Sequence, residues 1–471
     1  MASTLGLGSW KWFEGFHNAT RFVSAQMGRL LGSVPDLEPT SADSGGDKAQ
    51  PGKLSILQSS LALVAAKTAN MGLGFIFWVL AARFFSTSEV GLTAAAVAGM
   101  MLCTQIGLLG LGSSFITEFS RHRHNPSNLL STTFSLVSAA SLLVGFAFLL
   151  VASLWFEHLR VIAVTPAYAT LFLTMVVLGT NGIFFDQISA ALRRGGQALT
   201  RNLVSQGVTL GHLIGIGVFL PGAGPMMIFS TWVTGGVATC GYGALQLVRN
   251  LPVTRIRPRI DQTIARRQIR VGIPNHLLTL FERAPGFILP IVVTELLSSS
   301  TNAYWYAAWM MAWVVYMMPI QIGMTLFAEL AKHPEGLWRL VRHGIRSSLV
   351  IGSVCALGGV IAAPWILGIL GPDYAAAATT PLRVLLLVTV PFTFVQAYFA
   401  VARATGRLRE ALMAGGVSSV VGIVLAGAAG VSYGLTAMAV AWMGTQFLAG
   451  AFALIRLRSL ARRPSTVGVA V

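Results

Sequence analysis

Five ionisable side chains stand where such groups are costly. Lys67, Arg83, Asp186, Glu282 and Arg283 fall inside or at the edge of long apolar blocks, in a chain that is 54% hydrophobic and 10% charged. A charge near the centre of a bilayer is unfavourable unless it pairs or reaches water, so each is a candidate for function. Lys67 lies eleven residues into its block, roughly 17 Å deep at a helical rise of about 1.5 Å per residue. Arg283 lies at similar depth in a later block, next to Glu282. Adjacent residues on a helix point about 100° apart, so Glu282 and Arg283 are poor partners for each other. The chemistry such residues could do is recognition of an anion. Arginine offers a planar fork of donors and lysine a point charge. Asp186 and Glu282 are candidates for coupling to a proton or cation. Asp186 is also close enough to Arg193 and Arg194 to be a plain surface partner. His212 and His276 read mainly as packed or interfacial groups. Trp309, Trp313 and Tyr316 recur at helical spacing in YWYAAWMMAWVVYMM and give one aromatic face, a candidate lining.

The elements that must carry these residues are membrane helices. A spanning helix needs about 20 apolar residues. Twelve stretches qualify: 56–83, 90–117, 129–155, 165–192, 202–220, 225–248, 272–296, 303–330, 346–370, 381–402, 411–430 and 435–456. The 33 basic residues fall mostly in the even-numbered connections and the tails; Arg160 and Arg383 flank odd-numbered connections, and Arg83 closes the first stretch. By the positive-inside rule, both termini and every even connection are expected in the cytoplasm. The net charge of +17 is therefore topological and does not indicate nucleic acid. Arginine outnumbers lysine 28 to 5, a bias that fits a high-GC bacterial genome; the chain is expected to be a multi-pass protein of a bacterial plasma membrane. Cys103, Cys240 and Cys355 lie in apolar segments and read as small buried hydrophobes. No metal set, cofactor motif or nucleotide-binding loop is visible.

The organisation expected is a cytoplasmic tail over 1–53, a first lobe over 54–249, a basic linker over 250–270, a second lobe over 271–458 and a cytoplasmic tail over 459–471. The first tail shows no cleavable signal sequence. Within it, residues 9–31 place Trp12, Phe13, Phe16, Val23, Met27 and Leu30 on one helical face, the pattern of a helix lying on a membrane surface. Residues 33–53 read as a flexible linker.

The two lobes look alike. A shift of 212 aligns Arg83 with Glu295, Phe84 with Leu296, Phe85 with Leu297, Ser86 with Ser298 and Phe115 with Phe327. A shift of 209 pairs Gln187 with Gln396 and Arg194 with Arg403. Six is even, so the second lobe re-enters with the orientation of the first, and such parallel repeats are related by an axis along the membrane normal.

With AARFFSTSEVGL after the first helix, IGLLGLGSSFITEFSR through the second and ALRRGGQ after the fourth, the chain resembles the polysaccharide-transport branch of the MOP flippase superfamily. That branch includes Wzx-type flippases and is related to the lipid II flippase and to MATE exporters. The resemblance implies an all-α, twelve-helix protein of two six-helix lobes and alternating access for a polyprenyl-pyrophosphate-linked glycan. It makes and breaks no covalent bond. Lys67, Arg83 and Arg283 become candidates for a cationic cavity that takes a pyrophosphate. Membrane lipids, a glycan polymerase and glycosyltransferases are the further partners implied. Two rivals are a MATE-like ion-coupled exporter, which would favour acidic cavity residues, and a non-transporting scaffold for glycan assembly, which would depend on residues 1–53.

Overall fold

The computed structural model describes residues 71–119, 122, 126–251, 259–332 and 337–462. Lys67, the surface helix expected over 9–31 and the linker expected over 33–53 lie outside them.

The described residues are helical almost throughout. In order the helices are α1 (Met71–Phe84), α2 (Thr87–Gly107), α3 (Leu111–Phe119), α4 (Ser127–Trp155), α5 (Arg160–Val164), α6 (Pro166–Ala191), α7 (Gly195–Phe219), α8 (Gly224–Asn250), α9 (Gln262–Leu296), α10 (Ser299–Lys332), α11 (Leu337–Leu370), α12 (Pro372–Leu387), α13 (Thr389–Ala404) and α14 (Leu408–Ala461). Eight are long and apolar enough to cross a membrane, or nine if the bent pair α12–α13 counts as one span. Large apolar side chains such as Trp155, Trp365 and Leu448 are exposed on the outside of the protein, where a bilayer rather than water would accept them.

Local sequence explains where the helices begin. Ser86 caps α2 in a capping box with Glu89, and Asp261 accepts from the amides of Thr263 and Ile264 at the start of α9. Pro166, Pro225 and Pro372 sit in first turns, where a missing N–H costs nothing. Four expected spans take an unexpected form. The second is broken into α2 and α3 at Leu109 and Gly110, both with positive φ. The tenth is bent by 42° between α12 and α13. The eleventh and twelfth run together as α14, interrupted at Gly434 with φ 82°. Residues 262–270, expected in the linker, form the first turns of α9, which continues unbroken through Pro274, Pro285 and Pro290.

Helices α2–α8 pack mainly among themselves, as do α9–α14; the two bundles meet where α2, α3 and α4 touch α9, and α2 touches α10. The internal repeat is visible as repeated packing. Ser298 caps the start of α10 through the Thr301 amide at 3.0 Å, as Ser86 caps α2. Gly112 packs on Gln187, and Gly323 packs on Gln396.

The even connections gather at one end, here the basic end, as the contact of Glu118 with Arg267 and that of Arg194 with Asn250 show. Odd connections gather at the other, the charge-poor end, where Tyr304 meets Tyr374 and Thr93 reaches the carbonyl of Pro225. At the charge-poor end, backbones of α2 and α10 touch so closely that a Cβ on Gly91 would lie 1.7 Å from the Ser299 carbonyl oxygen. Asn302 Nδ2 donates to the Gly91 carbonyl at 2.8 Å. Towards the basic end, Gly110 and Gly272 pack backbone to backbone. His276 Nε2 is 2.6 Å from the Gln105 carbonyl, and Arg267 pairs with Glu118 at 2.9 Å.

Candidate functional site: a cavity between the bundles

Midway between the two contact zones lies a cavity of about 320 Å³. The first bundle lines it with Met71, Ala98 and Met101. The second supplies Arg283, Gly286 and Phe287 from α9, and Tyr306, Trp309, Met310, Trp313 and Met317 from α10. Helical periodicity explains the lining: Tyr306, Trp309/Met310, Trp313 and Met317 follow the i, i+3/i+4, i+7 rule and share one stripe. The indole of Trp309 is fixed by neighbours on both sides, Trp305 at 5.8 Å and Trp442 at 5.5 Å between ring centroids. The wall is thus a rigid surface of aromatic and polarisable groups, with Arg283 as its cation.

Arg283 is half-buried. Its Nε is buried without a hydrogen-bond partner, and among the described residues no carboxylate lies within ion-pair distance of it. A buried, unpartnered guanidinium N–H is unfavourable unless something else supplies an acceptor.

The other candidates separate. Glu282, next along α9, faces away from Arg283 into the second bundle. There it lines a cleft of about 560 Å³ with Tyr398, Trp442 and Gln446. Arg83 is exposed at the charge-poor end and donates to the Ile369 carbonyl at 2.8 Å. It does not line the cavity, because the end of α1 carries it past the cavity's depth. Tyr316 shares the azimuth of Trp309 but lies two turns further on, where α12 covers the face. It is buried and donates to the Leu385 carbonyl at 2.5 Å. Asp186, expected as a surface partner of Arg193 and Arg194, pairs with the buried Arg201. His212 bonds Thr234 Oγ1 at 3.1 Å within the first bundle.

Sequence reasoning missed two residues. Arg201 reads as a connection cation, yet its side chain is 1% exposed. Gln246 at 2.8 Å and Ser189 at 3.2 Å hold it, in addition to Asp186. The signal available was Asp186, a carboxylate facing it across a short helical hairpin. Glu295 reads as an ordinary helix-end acid, yet it is almost buried between the bundles.

Two helical bundles facing each other across a cationic, aromatic cavity define a polytopic membrane protein with the fold of the MOP-superfamily transporters. The chain superposes on an inward-facing multidrug resistance transporter of the MATE family and MOP superfamily with a TM-score of 0.62 and 16% identity, covering 84% of this chain and 96% of that one. The lipid II flippase MurJ in an inward closed conformation gives 0.62 and 12% identity over 84% of this chain and 87% of that one. A MOP-superfamily transporter from Pyrococcus furiosus gives 0.60 and 15% identity over 87% and 96%. At these identities the likeness is one of fold. No curated protein matches the sequence. The family model described as "Polysaccharide biosynthesis protein" matches residues 56–332, more than half of the chain, and the chain belongs to that family.

Proposed function

We propose that this protein is a flippase. It would move a polyprenyl-pyrophosphate-linked glycan across a bacterial plasma membrane by opening the central cavity alternately at its two ends. The observation that carries this reading is Arg283: a guanidinium with a buried, unpartnered N–H inside an aromatic cavity between two bundles. A pyrophosphate supplies acceptors for that donor, and the aromatic stripe suits the faces of sugars or the first isoprene units. Lys67, expected at similar depth on the opposite side, would be the second cation. At about 320 Å³ the cavity is near the low end for ligand sites. It takes a pyrophosphate group, and a glycan requires the bundles to part.

The basic end faces the cytoplasm in this reading, as the distribution of arginine requires. Glu282 is the candidate for ion coupling, since it sits one residue from Arg283 on α9 and faces a different space. Cavity charge argues against a cation exporter: Arg283 would repel a cationic drug. For the Pyrococcus furiosus relative, reverse polarity of the binding pocket has been taken to suggest a different function, and the same reasoning applies here.

The test is transbilayer movement of a fluorescent polyprenyl-pyrophosphate glycan in liposomes. Wild-type protein should move it. Arg283→Ala should lose at least about tenfold of the rate, the equivalent of one charge-assisted hydrogen bond. Arg283→Lys, which keeps the charge without the fork, should fall between them. Lys67→Ala should also be impaired. Full movement in Arg283→Ala discards the site, and no movement with any lipid-linked glycan discards the flippase.

A further inference from the structure

The repeat that aligns Arg83 with Glu295 has a counterpart in space. Glu295 is in the last turn of α9, where the helix dipole disfavours an anion. Its carboxylate crosses to the first bundle and accepts three backbone N–H groups, from Glu157 at 2.7 Å, His158 at 3.1 Å and Leu159 at 2.8 Å. Its side chain is only 10% exposed. Arg83, at the end of the pseudo-equivalent helix α1, makes the mirror-image contact. It crosses to the second bundle and donates to the Ile369 carbonyl at 2.8 Å, in the last turn of α11. Carbonyls at a helix end lack helical donors, and a cation there is favoured. The amides ahead of α5 likewise need acceptors. Each bundle therefore sends one charged side chain to unsatisfied backbone groups of the other, with opposite charge in the two halves.

We propose that Glu295 and Arg83 form a paired latch that holds the two bundles together at the charge-poor end, so that opening at this end requires both to let go. Backbone acceptors and donors suit such a latch. These groups and the two charged side chains are solvated by water as soon as the bundles part, so the closed state is favoured without being locked. Both latches lie on the same side of the central cavity as the Gly91–Ser299 contact, and they flank it.

The experiment uses full-length protein in nanodiscs with Cys103, Cys240 and Cys355 replaced by alanine. Spin labels go on Ser88→Cys in the first bundle and Ala376→Cys in the second, both exposed at this end. Wild type should give a single short distance. Glu295→Ala and Arg83→Ala should each add a longer-distance population, about tenfold above background, as expected for losing a charge-assisted bond. The double variant should add more. Glu295→Gln keeps an acceptor oxygen without the charge and should be intermediate. A second label pair within the first bundle, Ser88→Cys and Leu220→Cys, must stay unchanged and reports an intact fold. Wild-type distances in both single variants and in the double variant overturn the latch. A shift in one single variant alone overturns the pairing. No substrate is needed, so this result stands apart from the flippase assay.

Discussion

Arg283 and Arg201 are both arginines within helical bundles, and their surroundings give them opposite meanings. Arg201 is enclosed by Asp186, Gln246 and Ser189 and lies 5.8 Å above the Phe185 ring, so its charge and its two terminal nitrogens are matched within the fold, although its Nε is buried without a partner. Arg283 has the same buried Nε but, among the described residues, no carboxylate to match its charge. This contrast yields a test at residue scale. Asp186→Ala leaves a buried guanidinium without its carboxylate and should cost about 3 kcal/mol of stability, read as a lowered melting midpoint in detergent. Adding Arg201→Met to that variant should restore part of the loss, because removing both charges is far cheaper than stranding one. A variant pair that melts like wild type but loses an ion dependence of transport would instead make Asp186 a coupling group.

At the scale of elements, the helices that matter are those crossing between bundles: α2 against α10 at one end, and α2 and α3 against α9 towards the other. The closest backbone approach at each end is made by glycine, where there is no room for a Cβ. A Cβ on Gly91 would lie 1.7 Å from Ser299 O, and one on Gly272 would lie 2.5 Å from Gly110 O. Overpacking of this kind typically costs about 1–3 kcal/mol, and here it is relieved by separating the bundles at one end only. Gly91→Ala should therefore populate the state open at the charge-poor end, and Gly272→Ala the state open at the basic end. Label pairs across each end should show opposite shifts. Equal shifts in the two variants would mean that the bundles part as a whole.

For the whole molecule, the prediction is topological. If arginine placement sets orientation, a fluorescent protein fused after residue 471 should light up in the cytoplasm, and a phosphatase fused within the connection around Gly222 should be active outside. The opposite pattern would reverse the direction assigned to every gate. The sequence by itself determined the class: the length and spacing of apolar blocks, the alternation of basic connections and the near-constant offset of the repeat are local or periodic properties that folding cannot hide. It also marked Arg283, Trp309 and Trp313, because a cation in an apolar block and aromatics at helical spacing are visible in one dimension. Tertiary structure decided what each residue touches. Arg83 looked like a cavity cation and Glu295 like a helix-end acid, yet their partners are backbone groups 286 and about 137 residues away. Tyr316 shares the aromatic face of Trp309 but is covered by α12. No sequence pattern carries those facts, since a backbone amide or carbonyl is present at nearly every position. Only the packing of two bundles decides which are left without a helical partner and which charged side chain is near enough to reach them.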